Sequence, residues 1–147
     1  MATVNICLLF NGNCEQAFDF YRSVFGGEFP AIVRYGDVPL PPEAPSLPEN
    51  IRQKIENISL PISQETMLMG ADAVGHLAAK TVFGNNFSVY IEAASHDEAY
   101  RLFNGLAQNG HIAMPLSQAH WGDEFGMLTD QFGINWLINH SPNKTKA

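Results

Sequence analysis

The residues best suited to chemistry fall into two groups. His120 stands beside Trp121, just ahead of an apparent hairpin. An imidazole next to an indole offers a base, or a binder of anionic groups, beside a flat apolar surface. The same position also suits a hydrogen-bonded turn residue. Asn5, Asn57, Ser88 and Tyr90 form the second group. Each lies in or beside a short apolar run that reads as a strand, next to Ile6, Ile58, Phe87 and Val89. If those four apolar residues face helices, the amides and hydroxyls point the other way, into a cleft suited to a small amphipathic molecule. Trp121 and Trp136 are candidate stacking surfaces, although Trp136 fits a core position better. Histidines at 76, 96, 111, 120 and 140 show no H-x-H or H-x-x-x-H spacing. No Ser/His/Asp or Cys/His order stands out, so no catalytic residue is assigned.

These side chains need a scaffold, and the composition supplies one. The chain has 147 residues, 46% of them apolar, with a formal net charge of -7. That is enough to build a core without disulfides. Only eight Lys and Arg are present and they are dispersed, which argues against nucleic acid as a partner. No apolar run is long enough to cross a membrane, and the start of the chain lacks a secretory pattern, so a cytoplasmic location is expected. Cys7, in an apolar run, reads as a buried thiol.

Taken in order, Val4 to Phe10 reads as a strand. Asn13, with Gln16 three residues on, reads as a helix cap. Ala17, Phe18, Tyr21, Val24 and Phe25 follow at helical spacing, and Gly26-Gly27 ends the helix. Phe29 to Tyr35 reads as a strand. Residues 36–50 hold five prolines and read as a long loop. Ile55 to Ile62 and Glu65 to Met69 read as a strand pair, and Gly70 to Thr81 as a connector. A strand runs from Asn85 or Asn86 to Glu92. Ser95 with Glu98 forms a capping box for a second helix, which ends at Asn109-Gly110. His111 to Leu116 is a strand, kept from a central position by Pro115. The stretch from His120 to Asn139 reads as two strands around the turn DQFG, with Asp130 accepting backbone hydrogen bonds.

The two halves repeat one another. Placing Glu15–Phe25 over Asp97–Ala107 aligns Ala17 with Ala99, Phe18 with Tyr100, Tyr21 with Phe103 and Val24 with Leu106. Each half reads strand, helix, then three strands. The expected fold is α+β, with two βαβββ modules at about 3–70 and 84–139 within a single domain spanning 1–147. Such modules would cover each other's apolar faces and leave a cleft lined by strands from both.

This duplicated pattern resembles the vicinal oxygen chelate superfamily of glyoxalase I, bleomycin-resistance proteins and extradiol dioxygenases. It is most similar to the PhnB-like branch, often labelled 3-demethylubiquinone-9 3-methyltransferase-like. The residues that carry the likeness are Phe10-Asn11-Gly12-Asn13, Glu15-Gln16-Ala17, Phe20-Tyr21 and Phe25-Gly26-Gly27. Near the other end they are Met114-Pro115-Leu116, Trp121-Gly122, Phe125-Gly126-Met127, Thr129-Asp130, Phe132-Gly133 and Trp136. The resemblance implies a homodimer. It also implies a divalent metal in the superfamily's enzymes, at positions near Asn5 or Ile6, Glu56 or Asn57, Asn86 or Phe87, and Trp136 or Leu137. Only Glu56 among these is a strong donor, so no cofactor is expected. The leading expectation is a metal-free protein that binds an unidentified small molecule in its cleft. The alternatives are a glyoxalase-, dioxygenase- or methyltransferase-type enzyme, and a bleomycin-type drug-binding protein.

Overall fold

The computed structural model describes residues 1–142, with only the backbone of residues 76 and 77. The side chain of His76 therefore lies outside the described residues. The chain divides into two compact units, Met1–Val82 and Phe83 onward. No helix among the described residues is long and apolar enough to cross a membrane.

In the first unit, β1 (Ile6–Phe10) leads into α1 (Cys14–Phe25), followed by β2 (Ala31–Arg34), a short helical turn α2 (Glu49–Arg52), β3 (Ile55–Pro61) and β4 (Met67–Asp72). The sheet order is β1-β4-β3-β2, with β1 parallel to β4 and the other pairs antiparallel. Leu8, Phe10, Ile58, Leu60 and Leu68 are buried with Phe18 and Tyr21 of α1. A strand alternates sides at every residue, so Cys7, Met69, Ser59 and Ala31 form a row on the opposite face. Cys7 is accordingly exposed, and Cys14 is the buried thiol. The expectation for Cys7 fails because Ile6, Leu8 and Phe10 take the helix-facing side. α1 packs closely on β4: a Cβ at Gly70 would fall 2.4 Å from Phe18 Cε1.

The expected Asn13 cap is also corrected. Asn13 makes no side-chain cap hydrogen bond. Asp72 does that work from across the sheet, its Oδ1 accepting from Gly12 N (2.9 Å) and Cys14 N (3.0 Å) and its Oδ2 from Ile55 N (2.9 Å). β4 therefore runs to Asp72, through residues read from their glycine and alanine content as connector.

The second unit repeats this order. β5 (Val89–Glu92) leads into α3 (His96–Leu106), then β6 (His111–Gln118), β7 (Glu124–Thr129) and β8 (Asn135–His140), in the sheet order β5-β8-β7-β6. Two four-stranded mixed sheets, each with its helix, give the expected doubled βαβββ architecture. The Ser95 cap holds, its Oγ accepting from Glu98 N at 3.1 Å. β5 starts later than read, at Val89, and Phe87 lies ahead of it, 63% exposed instead of turned to a helix.

Candidate functional site

Register decides which side chains meet on the second sheet. Val89, Trp136, Leu128 and Ile112 align across the strands on the side of α3. One residue along, Tyr90, Leu137, Met127 and Met114 align on the other side. Two residues further, Glu92, Asn139, Phe125 and Ser117 make a parallel row on that same side.

That second row carries a polar network. Asn139 is 3% exposed, and its Nδ2 donates to Glu92 Oε2 at 2.7 Å and Asp123 Oδ2 at 3.1 Å. The Ser141 hydroxyl also donates to Asp123 Oδ2, at 3.0 Å. The Tyr90 phenol donates to Glu92 Oε2 at 3.1 Å. Desolvation, then the hydrogen bond to Glu92 and the negative charges of Glu92 and Asp123, hold the Tyr90 hydroxyl above its ordinary pKa. It stays a neutral donor at physiological pH. Aromatic rings border the network. Trp121 lies 5.8 Å from Phe125 and is 54% exposed, and His120 meets Trp121 edge-on at 4.9 Å. Tyr90 is also 54% exposed. The face thus pairs two carboxylates with accessible π surfaces. It can accept hydrogen bonds, attract positive charge and stack a flat ring.

The residues singled out from sequence separate here. Tyr90, His120 and Trp121 belong to this face or its rim. Ser88 sits half-exposed just ahead of β5. Trp136 does not line the face. It is fully buried, and its Nε1 donates to Asp130 Oδ2 at 2.9 Å, so the core reading of this residue is the correct one. In the first unit, Asn5 is structural, its Oδ1 accepting from Met67 N at 2.8 Å to tie the start of β1 to β4. Asn57 is half-buried opposite Val33 on β2, and Glu56 is exposed beside it. No group of three or more His, Cys, Asp or Glu side chains among the described residues could hold a metal ion, Glu56 included.

Sequence reasoning missed Glu92, Asp123, Phe125 and Asn139. The period of two in YIE was the available signal for Glu92, since it places Glu92 on the side of Tyr90. It also missed the contact of His96 Nδ1 with Glu124, at 2.8 and 2.9 Å to the two carboxylate oxygens, which joins the first turn of α3 to the start of β7.

A family model described as 3-demethylubiquinone-9 3-methyltransferase matches residues 2–139. The chain belongs to this family. It is thereby a member of the PhnB-like branch of the vicinal oxygen chelate superfamily, as the motifs implied. Protein YjdN of Escherichia coli K12 is 28% identical over 137 residues, covering 90% of each chain. The crystal structure of PA1353 from Pseudomonas aeruginosa superposes with a TM-score of 0.78 at 32% identity, covering 96% of this chain and 98% of that one. The PhnB protein from Bacillus cereus matches with a TM-score of 0.72 at 26% identity, over 95% and 99% of the two chains. The PhnB-like motif Trp121-Gly122 to Phe125-Gly126 coincides with the aromatic border of the face described above. Gly126 in it is required by packing, because a Cβ there would meet Phe103 Cε2 at 2.7 Å.

Proposed function

We propose that this PhnB-like protein binds a small amphipathic molecule on the face of the second sheet turned away from α3. The observation that carries the reading is the Tyr90–Glu92–Asn139–Asp123 network bordered by Phe125 and Trp121. Asn139 fixes both carboxylates from below, so their geometry is set before any ligand arrives. The exposed rings supply the apolar contact. The preferred ligand therefore carries a flat apolar body and a donor edge, with an amine or ammonium favoured over a carboxylate. We also read the protein as a homodimer, which sedimentation equilibrium tests.

A thermal-shift screen of ring compounds with and without amine groups tests the binding reading. Amine-bearing rings are expected to raise the melting temperature. Glu92→Gln should weaken that response about tenfold, the effect of losing one charge-assisted hydrogen bond. If carboxylate-bearing rings bind as well, or Glu92→Gln responds like the wild type, the reading fails. Two alternatives are read from the same samples. A methyltransferase requires transfer from a sulfonium methyl donor to a bound hit, detected as a mass gain of one methyl group. A metal-dependent enzyme requires an ion held near one per chain when Zn, Ni, Mn and Fe are offered.

A further inference from the structure

A pocket of about 500 Å³ opens on the first unit, where the start of α1 meets β2, α2 and the start of β3. Four charged side chains line it: Glu15, Arg34, Lys54 and Asp72. Three of the four are engaged. Asp72 accepts the three backbone N–H groups described above. Arg34 and Glu15 form a two-pronged pair, Nη1 to Oε1 at 3.0 Å and Nη2 to Oε2 at 2.5 Å. Arg34 Nη1 also donates to Gln53 O at 2.9 Å.

Lys54 is different. Its Nζ donates to one neutral acceptor, Gly12 O at 2.8 Å, and no carboxylate of a described residue lies within ion-pair distance. An ammonium has three N–H groups, so its donor capacity exceeds the one bond it makes at the wall of the pocket. Asn50 also lines the wall, and its side-chain amide has no hydrogen-bond partner among the described residues. The backbone keeps this corner open. Gly12 sits at φ 112°, and a Cβ there would come within 3.3 Å of Lys54 Nζ. A side chain at position 12 would be strained and would press on the ammonium.

We propose that this pocket binds a small anionic group, a phosphate or a carboxylate, with the Lys54 ammonium as its charge partner and the Asn50 amide as a second donor. The Glu15–Arg34 pair forms the opposite wall and keeps Arg34 in place without adding net charge. The site lies in the first unit and uses none of the residues of the sheet face above.

The test is a titration of the full chain, followed by amide NMR shifts, with inorganic phosphate, acetate and chloride in separate arms at matched ionic strength. Saturable shifts at Gly12, Asn50 and Lys54 are expected with phosphate, with acetate or with both. Which of the two saturates identifies the preferred anion. Lys54→Gln should weaken binding about tenfold and Lys54→Arg should retain it. Asn50→Asp, on the exposed α2, should abolish binding with an unchanged melting temperature, by placing a carboxylate at the mouth. Equal shifts in chloride, linear shifts without saturation, or wild-type binding by Lys54→Gln would overturn the proposal.

Discussion

The indole of Trp136 donates to Oδ2 of Asp130 across the β7–β8 turn, at 2.9 Å. The other carboxylate oxygen of Asp130 accepts from Phe132 N at 2.8 Å and Ile134 N at 3.1 Å. One aspartate therefore closes the turn and anchors the largest buried ring of the second unit. Trp136 is a core residue and Trp121 a surface one, although both are among the residues that carry the family likeness. Trp136→Phe should lower unfolding free energy by about 1–3 kcal/mol, since it removes the indole hydrogen bond to a buried carboxylate and shrinks the buried ring. Ligand affinity should be unchanged. Trp121→Ala should do the reverse. Urea denaturation and isothermal titration on the two variants check the contrast.

Asp72 predicts a larger loss in the first unit. Asp72→Ala removes the acceptor for three backbone N–H groups, on Gly12, Cys14 and Ile55. Unsatisfied buried donors cost about 1–3 kcal/mol each, so the variant should lose about 3 kcal/mol or more. Asn13→Ala should cost little, because Asn13 makes no cap hydrogen bond. Chemical denaturation midpoints of the two variants decide this.

The two thiols should differ sharply. Cys7 is exposed and Cys14 buried. Burial, with the nearby Asp72 carboxylate adding to it, pushes the Cys14 thiol far above its ordinary pKa. Only the thiolate reacts with alkylating agents. Native protein at pH 8 should therefore take one label quickly, on Cys7, and the second only on unfolding. Peptide mass mapping of a timed alkylation reads the order.

Glu15 sets a small acid dependence. The hydrogen bond from Arg34 holds its carboxyl below the ordinary value of 4.5. A group lowered in the folded state contributes stability that is full above its unfolded pKa and lost as pH falls through the folded one. Stability from this pair should thus fade below about pH 4.5. The pair is partly exposed, so the effect is about 0.5 kcal/mol after solvent screening. Glu15→Gln should flatten that part of the stability–pH curve, measured by urea titration from pH 3 to 7.

The fold was legible where local signals and the repeat agreed. Ser95 with Glu98 marked a helix start, Gly26-Gly27 a helix end, and DQFG a turn, and all three depend on residues within a few positions of each other. The two βαβββ halves followed from matching helices. What escaped depends on distant pairing. Asp72 caps α1 from about sixty residues away, so the nearer Asn13 looked like the cap. Cys7 looked buried because an apolar run does not reveal which of its sides faces the helix. Tyr90 and Trp121 were readable as a candidate cleft residue and a candidate stacking surface. The carboxylates beside them were not, because Glu92 meets Asn139 only through the parallel β5–β8 register, which places residues 47 positions apart side by side.

The most direct measurement is an NMR titration of the full chain with the strongest amine-bearing hit, following both indole N–H signals. A saturable shift of the Trp121 indole and of the Tyr90, Phe125 and Asn139 amides is expected, with the Trp136 indole unmoved. Trp121→Ala should weaken binding. A saturating ligand that shifts Trp136 or the residues of α3 while leaving Trp121 unmoved would contradict it.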